Sequence, residues 1–286
     1  MPRFARGAPG QGTIMRQWMV AFAAGAALVA AASPALAGEW SGAYLGAFAG
    51  AASGASDIAT SVDCTVYGVL CDPYPHYPEN GALIGATASG SPAATAFTGG
   101  VFAGFNWQNG QAVYGFETDV GSLPLRLSAG GSGDTLNPGL WNDGDTVPSV
   151  FTVSATAATD WMATARARFG FLPTAGLLLY GTAGLAATEL TVSNSYSDNF
   201  NNGTGAGNVE SSSSSEFRTA LVVGAGAEWA LAARWKLRAE YLHTDFGSLT
   251  TTGISTYLPE VPTSNPITST ATLRADVVRV GVAYGF

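Results

Sequence analysis

Large apolar residues recur at every second position through most of this chain, in runs short enough to be strands and separated by turn residues. Successive side chains of a strand point to opposite faces, so such alternation assigns one set of residues to each face. Ala94–Trp107 sets Phe97, Val101, Ala103, Phe105 and Trp107 against Thr98, Gly100, Gly104 and Asn106. Asp160–Leu172 sets Trp161, Ala163, Ala165, Ala167, Phe169 and Phe171 against Thr164, Arg166, Arg168 and Gly170. Ala112–Leu123, Glu216–Ala230, Arg234–Gly247 and Leu273–Phe286 repeat the pattern, with charge and glycine sharing one face and large apolar groups the other. Trp40–Ala52 and Leu177–Leu190 are apolar or glycine at both parities and declare no face. A soluble barrel with an apolar cavity has its charges outside. Here the charges lie with the glycines, which points to an apolar exterior.

The spacing between runs supports the same architecture. Short turns, Gln108-Asn109-Gly110-Gln111, Pro173-Thr174-Ala175-Gly176 and residues 231–233, alternate with long segments at 53–93, 124–159, 191–215 and 248–272. Asn-Gly between alternating strands is a strong hairpin signal. Eight strands with short turns at one end and long connections at the other describe an all-β, eight-stranded antiparallel up-and-down transmembrane β-barrel. Only 11% of residues are charged while 47% are hydrophobic, against about 25% charged in an ordinary soluble domain. No uninterrupted apolar run beyond the N-terminus is long enough for a transmembrane helix, and a closed barrel is the other structure that lipid tolerates.

Residues 1–37 read as a signal peptide. Arg16 precedes the apolar stretch Trp18–Ala32, Pro34 interrupts it, and Ala35-Leu36-Ala37 has the small-x-small form of a cleavage site. Cleavage after Ala37 is favoured over an uncleaved anchor and leaves residues 38–286 as the barrel. Met15 is an alternative start to Met1. The mature chain then carries 9 basic and 20 acidic side chains, net −11, which excludes nucleic acid as an expected partner.

Cys64 and Cys71 suit a disulfide in an exported protein. A metal reading recruits His76 and still falls short of four tetrahedral ligands, so no metal or other cofactor is expected. The inward parity collects Glu117, Asp119, Glu228 and Glu240 with Arg166, Arg168, Arg218, Lys236, Arg238 and Arg279. An eight-stranded barrel is just wide enough for its own side chains, so these near-balanced charges are expected to plug the lumen. A narrow channel lined by the arginines is the alternative. Charges on the long connections, Glu210 and Asp143–Asp145 among them, are nearly all acidic and are expected to be solvated; the latter falls short of a calcium loop. His243 is the sole strand histidine. It cannot pair with the adjacent Thr244 on the opposite face, is expected in the outer interfacial belt, and leaves no catalytic constellation.

Trp40-Ser-Gly-Ala-Tyr-Leu-Gly, Gly99-Gly-Val-Phe-Ala-Gly-Phe-Asn-Trp-Gln, Tyr114-Gly-Phe-Glu-Thr-Asp, Gly224-Ala-Gly-Ala-Glu-Trp and the terminal Arg279-Val-Gly-Val-Ala-Tyr-Gly-Phe resemble the small outer-membrane immunogenic, porin-family β-barrels. The resemblance spans the strands and not the long connections. It implies an OmpA-like barrel in the outer membrane of a Gram-negative bacterium, surrounded by lipid and lipopolysaccharide. It also implies periplasmic chaperones and insertion machinery that read a C-terminal signal at Tyr284 and Phe286. The expected role is structural or surface-facing with weak pore activity; the alternatives are a small-solute channel, a ligand-binding surface protein and a lipid-modifying enzyme.

Overall fold

A computed structural model describes residues 40–65, 70–71, 78–134, 150–198, 209–254 and 265–286. The expected signal peptide, His76, Asp143 and Asp145 lie outside them. The elements are β1 (Gly42–Ala55), β2 (Ile58–Val62), α1 (Pro78–Thr87), β3 (Ala93–Asn109), β4 (Ala112–Asp134), β5 (Val150–Thr174), β6 (Leu177–Asp198), β7 (Val209–Ala230), β8 (Trp235–Ile254) and β9 (Pro266–Gly285). Every pairing between successive strands is antiparallel, and β1 pairs with both β3 and β9, closing the ring. β2 continues β1 along β9 in one register, Ala55 opposite Arg274 and Ile58 opposite Ala271. Nine strands therefore make eight staves.

An apolar band encircles the lower half. Trp107, Tyr114, Phe171, Trp235 and Phe286 mark its lower rim, with Trp107 stacked on Tyr114 at 5.9 Å. Phe97, Trp161 and Phe217 mark the upper, Trp161 and Phe217 lying 6.1 Å apart. The rims are ten residues apart along both β3 and β5, the length of strand that crosses a bilayer at a tilt. Among the described residues no helix is long and apolar enough to cross a membrane.

Above the band the barrel continues, with its chemistry inverted. Leu123, Leu125, Leu127, Ala155, Ala157, Leu190, Val192 and Leu273 now point inward and are buried. Outside, hydroxyls pair across strands, Ser128 with Thr156, Ser132 with Thr152 and Thr250 with Thr270, each at 2.8 Å. One-residue register shifts help to produce the inversion. In β5 the inward parity is even up to Met162 and odd from Thr159 outward, and in β8 it changes between Phe246 and Leu249. Gly247 serves the second bulge with φ +70°, a conformation costly for other residues. Much of what the sequence suggests are long connections at 124–159, 191–215 and 248–272 is therefore strand: β4 runs to Asp134, β6 to Asp198 and β8 to Ile254.

Two ladders stop early. β3 and β4 pair only up to Gly100 and Gly121, and β7 and β8 only up to Val222 and Thr244, although all four strands extend further. Hydroxyl side chains bridge the ends: Thr98 Oγ1 donates to the Ser122 carbonyl at 2.6 Å, and Thr244 Oγ1 to that of Leu221 at 3.0 Å. With four staves between one seam and the next, the outer half forms two leaflets facing each other over the apolar core.

The first connection, read as an extended polar segment, contains β2 and α1. Pro78 opens the helix and Glu79 lies in its first turn, both suited to a helix N-terminus. Gly85 lets the helix approach β2, since a Cβ there would stand 2.7 Å from the Thr60 carbonyl oxygen. Cys64 is disulfide-bonded to Cys71, with Cα atoms 5.5 Å apart. Leu70, Cys71, Ile84 and Ala88 pack on Phe151, Val153, Tyr196 and Ile267, inward residues of β5, β6 and β9. The outer end of the barrel is thus filled by its own first connection.

Candidate functional site

The lumen at the level of the apolar band holds a network of four carboxylates and four guanidinium groups. Glu117 and Asp119 come from β4, Arg166 and Arg168 from β5, Glu228 from β7, Arg238 and Glu240 from β8, and Arg279 from β9; each is at most 5% exposed. The register sets Glu117 opposite Arg166, Glu228 opposite Arg238 and Glu240 opposite Arg279.

Glu117 is the hub. Arg238 grips it with both terminal nitrogens, Nη1 to Oε2 at 2.7 Å and Nη2 to Oε1 at 3.0 Å. Arg166 Nη2 donates to Glu117 Oε1 at 2.6 Å and to Asp119 Oδ2 at 2.7 Å, and its Nη1 reaches Glu240 at 3.0 Å. Arg279 joins Glu240 at 2.7 Å and Asp119 at 2.9 Å. Arg168 joins Glu228 at 2.7 Å. Such bidentate and bridging pairs are the geometry for which guanidinium is suited. With four charges of each sign, the cluster is neutral.

Two tyrosines complete it. Tyr44 Oη accepts from Arg168 and donates to Glu117, both at 2.9 Å, and Tyr180 Oη accepts from Arg238 and donates to Glu240 at the same distance. Arg168 lies 4.0 Å from the Tyr180 ring centroid, Arg238 4.3 Å from that of Phe102 and Arg279 4.3 Å from that of Phe48, within cation–π range. All eight staves meet in this layer, β3 through Phe102.

Two residues expected in the network stand apart from it. Arg218 has the inward parity but sits at the upper rim, paired with Glu216 at 2.9 Å and 28% exposed. Lys236 is buried one layer below, 4.6 Å from the Trp40 ring centroid. Tyr44 and Tyr180 escape sequence reasoning because their strands are apolar or glycine on both faces. Their one signal is a lone hydroxyl-bearing ring among small residues.

Apolar layers adjoin the network on both sides. Trp40, Val113, Leu172, Leu178 and Ala230 fill the lower end, where the Trp40 indole nitrogen donates to the Ala175 carbonyl at 3.1 Å. The leaflet core lies above. At the closing strand, Phe286 N donates to the Ala43 carbonyl at 3.0 Å, and its exposed ring packs edge-on against Tyr284 at 5.5 Å.

His243 faces outward, and Thr244 points inward to the seam. The histidine has a partner that its own strand does not supply: Nδ1 lies 2.8 Å from Asp276 Oδ1 on β9. The Tyr241 hydroxyl donates to the same oxygen. A histidine–carboxylate pair can orient a base, but the hydroxyl gathered here is a phenol on the carboxylate, not a serine on the imidazole.

Glu210, expected among solvated loop charges, is instead an inward residue of β7 and is 7% exposed. Among the described residues, the other acids of the outer half are more open; Asp57 and Asp245 both pair with the exposed Arg274, at 3.3 Å and 3.2 Å.

The model of the outer membrane protein beta-barrel domain family matches residues 21–286. The 31 kDa outer-membrane immunogenic protein of Brucella melitensis is 37% identical over 165 residues, covering 56% of this chain and 58% of that protein. The 22 kDa outer membrane protein of Rhizobium leguminosarum bv. viciae is 32% identical over 152 residues, 53% of this chain and 54% of its own. The chain thus spans little more than half the length of these relatives. Among solved structures, the outer membrane protein OprG from Pseudomonas aeruginosa aligns over 88% of this chain and all of its own, at 10% identity and a TM-score of 0.43.

Proposed function

This chain belongs to the outer membrane protein beta-barrel domain family and resides in the outer membrane of a Gram-negative bacterium, and from that premise we propose that it is a sealed barrel with a structural and surface-presenting role, not a solute pore. The observation that carries this reading is the neutral network centred on Glu117 and Arg238. A hydrated ion needs a continuous polar path, and a lumen of this strand number has little width to spare beyond its side chains. Here the polar layer is spent on internal pairs, and the layers above and below it are apolar.

Lipid surrounds the apolar band, and lipopolysaccharide faces the outer rim. The C-terminal pair Tyr284 and Phe286 is the signal offered to the insertion machinery, since both rings lie at the lower rim where the barrel closes. We assign the protein no reaction: at the His243–Asp276 pair the Tyr241 hydroxyl donates to the carboxylate and is not placed on the imidazole, as an acyl-transfer nucleophile would be.

Swelling of liposomes that contain the refolded protein tests this function. With a small neutral sugar outside, such liposomes swell no faster than protein-free ones. Swelling that grows with the amount of folded protein makes the chain a solute channel instead.

A further inference from the structure

Glu210 is buried between two strands that the backbone does not join. Above Val222 and Thr244 the β7–β8 ladder is absent, and the strands meet through side chains. Ser212 Oγ and Ser214 Oγ each lie 3.3 Å from Thr251 Oγ1, and Ser212 Oγ lies 2.6 Å from Asn194 Oδ1. Glu210 follows Ser212 on the same inward face, and β6 sets Tyr196 opposite it. Across the seam is Gly253, where a Cβ would overlap Glu210 Oε1. The absence of a side chain at 253 makes the space into which the carboxylate projects.

Both carboxylate oxygens are shielded from solvent and, among the described residues, neither has a hydrogen-bond partner. This is a costly state for a polar group. The nearest inward cation along β7, Arg218, is eight residues away and bound to Glu216. The side-chain oxygens next along the seam from Glu210 are the Ser212 hydroxyl and, within its reach, the Asn194 amide oxygen and the Thr251 hydroxyl, the Asn194 nitrogen being turned to the Ile267 carbonyl; the Tyr196 hydroxyl on the neighbouring strand donates to Asp198. A donor set of oxygen alone selects hard cations. A bare ion needs only about 2.3–2.6 Å to each oxygen, less than a hydrogen bond requires.

We propose that the outer end of the β7–β8 seam is a cation site of the calcium class, with Glu210 as its charged ligand, joining strands that the ladder leaves apart. With a single carboxylate, the affinity belongs at the weak end known for extracellular calcium modules, about 10⁻⁴–10⁻³ M. The site lies seven residues beyond Phe217 along β7, outside the apolar band and on the external side of the sealed lumen.

Terbium luminescence excited through tyrosine tests the site directly, because Tyr196 is the ladder partner of Glu210. The protein is the full chain refolded in detergent, with folding verified by heat-dependent gel mobility. Saturable emission is expected, displaced by calcium, with calcium also raising the unfolding temperature. Glu210→Gln is expected to weaken binding at least tenfold and to abolish the thermal shift. Glu210→Asp keeps the charge but withdraws it by one methylene; it is expected to fold and to bind several-fold more weakly. No saturable emission from the folded wild type overturns the site and leaves Glu210 as a neutral buried acid. Affinity unchanged in either variant also overturns it, assigning the ion to exposed acids elsewhere.

Discussion

Glu117 receives three arginines and a tyrosine in a layer that water does not reach. Removing one partner of a buried pair leaves the others charged and unsatisfied. Glu117→Ala is therefore expected to lower stability by about 3–5 kcal/mol in urea unfolding from detergent. Arg168→Ala is expected to fall in the same range, since it removes the nearest partner of Glu228, leaving Arg238 at 3.8 Å. The exposed pair of Arg126 and Asp160, 3.0 Å apart and both more than half exposed, is the contrast; Arg126→Ala is expected to cost about 1 kcal/mol or less. Glu210 provides a pH test in calcium-free, chelated buffer. Burial pushes its carboxyl up to about 7, above the unfolded value of about 4.3, so the folded state binds the extra proton. Its contribution is then complete below the unfolded value and is lost as pH rises to about 7. The wild type should lose stability across that window, and Glu210→Gln should lose less. The inward charges of β4, β5, β7, β8 and β9 are legible in the sequence because apolar residues occupy the opposite parity. Parity fixes a face but not a height, which is why Arg218 reads as a member of a network that lies well below it. Asp276 as the partner of His243 is not legible, because it depends on the register between β8 and β9.

At the scale of elements, the eight staves and their short turns follow from alternation and turn chemistry, whereas their length does not. The apolar face changes side at the upper rim, and the bulges in β5 and β8 reset the phase at the same level. Asp160 and Gly247, where the alternation breaks off in the sequence, both lie at those bulges. Beyond them the Ser- and Thr-rich stretches look like loops because their outward faces meet water. Gly247→Val places a β-branched residue at positive φ, and a loss of about 1–2 kcal/mol is expected, measured as a lower urea midpoint. The first connection owes its order to different forces, the disulfide and the packing of α1 on β2. Cys64→Ser with Cys71→Ser should leave the heat-dependent gel shift intact, since no stave contains either residue. Limited proteolysis should then cleave near α1 while sparing the strands.

For the whole molecule, the layers combine into a barrel closed by different means along its length. Apolar side chains fill the lower end, a neutral ionic lattice braces the middle, and two leaflets pack over an apolar core above, with α1 and the Cys64–Cys71 disulfide at the outer end. The seams β3–β4 and β7–β8 open in the upper part of the band, at Gly100, three residues below Phe97, and at Val222, five residues below Phe217. From those points down to the lower rim, where lipid would leave unpaired backbone groups unsatisfied, the ladders are continuous around the ring. Under the surface-presenting role proposed above, the extended outer half is the part that would act at the cell exterior, with the lower half as its anchor. A lumen sealed in this way does not conduct. Single-channel recording in a planar bilayer, with the refolded full chain shown to be folded by its heat-dependent mobility, tests this. A silent membrane is expected across the voltage range in which the barrel stays folded; discrete, reproducible openings from that same folded fraction would mean that the lumen is open.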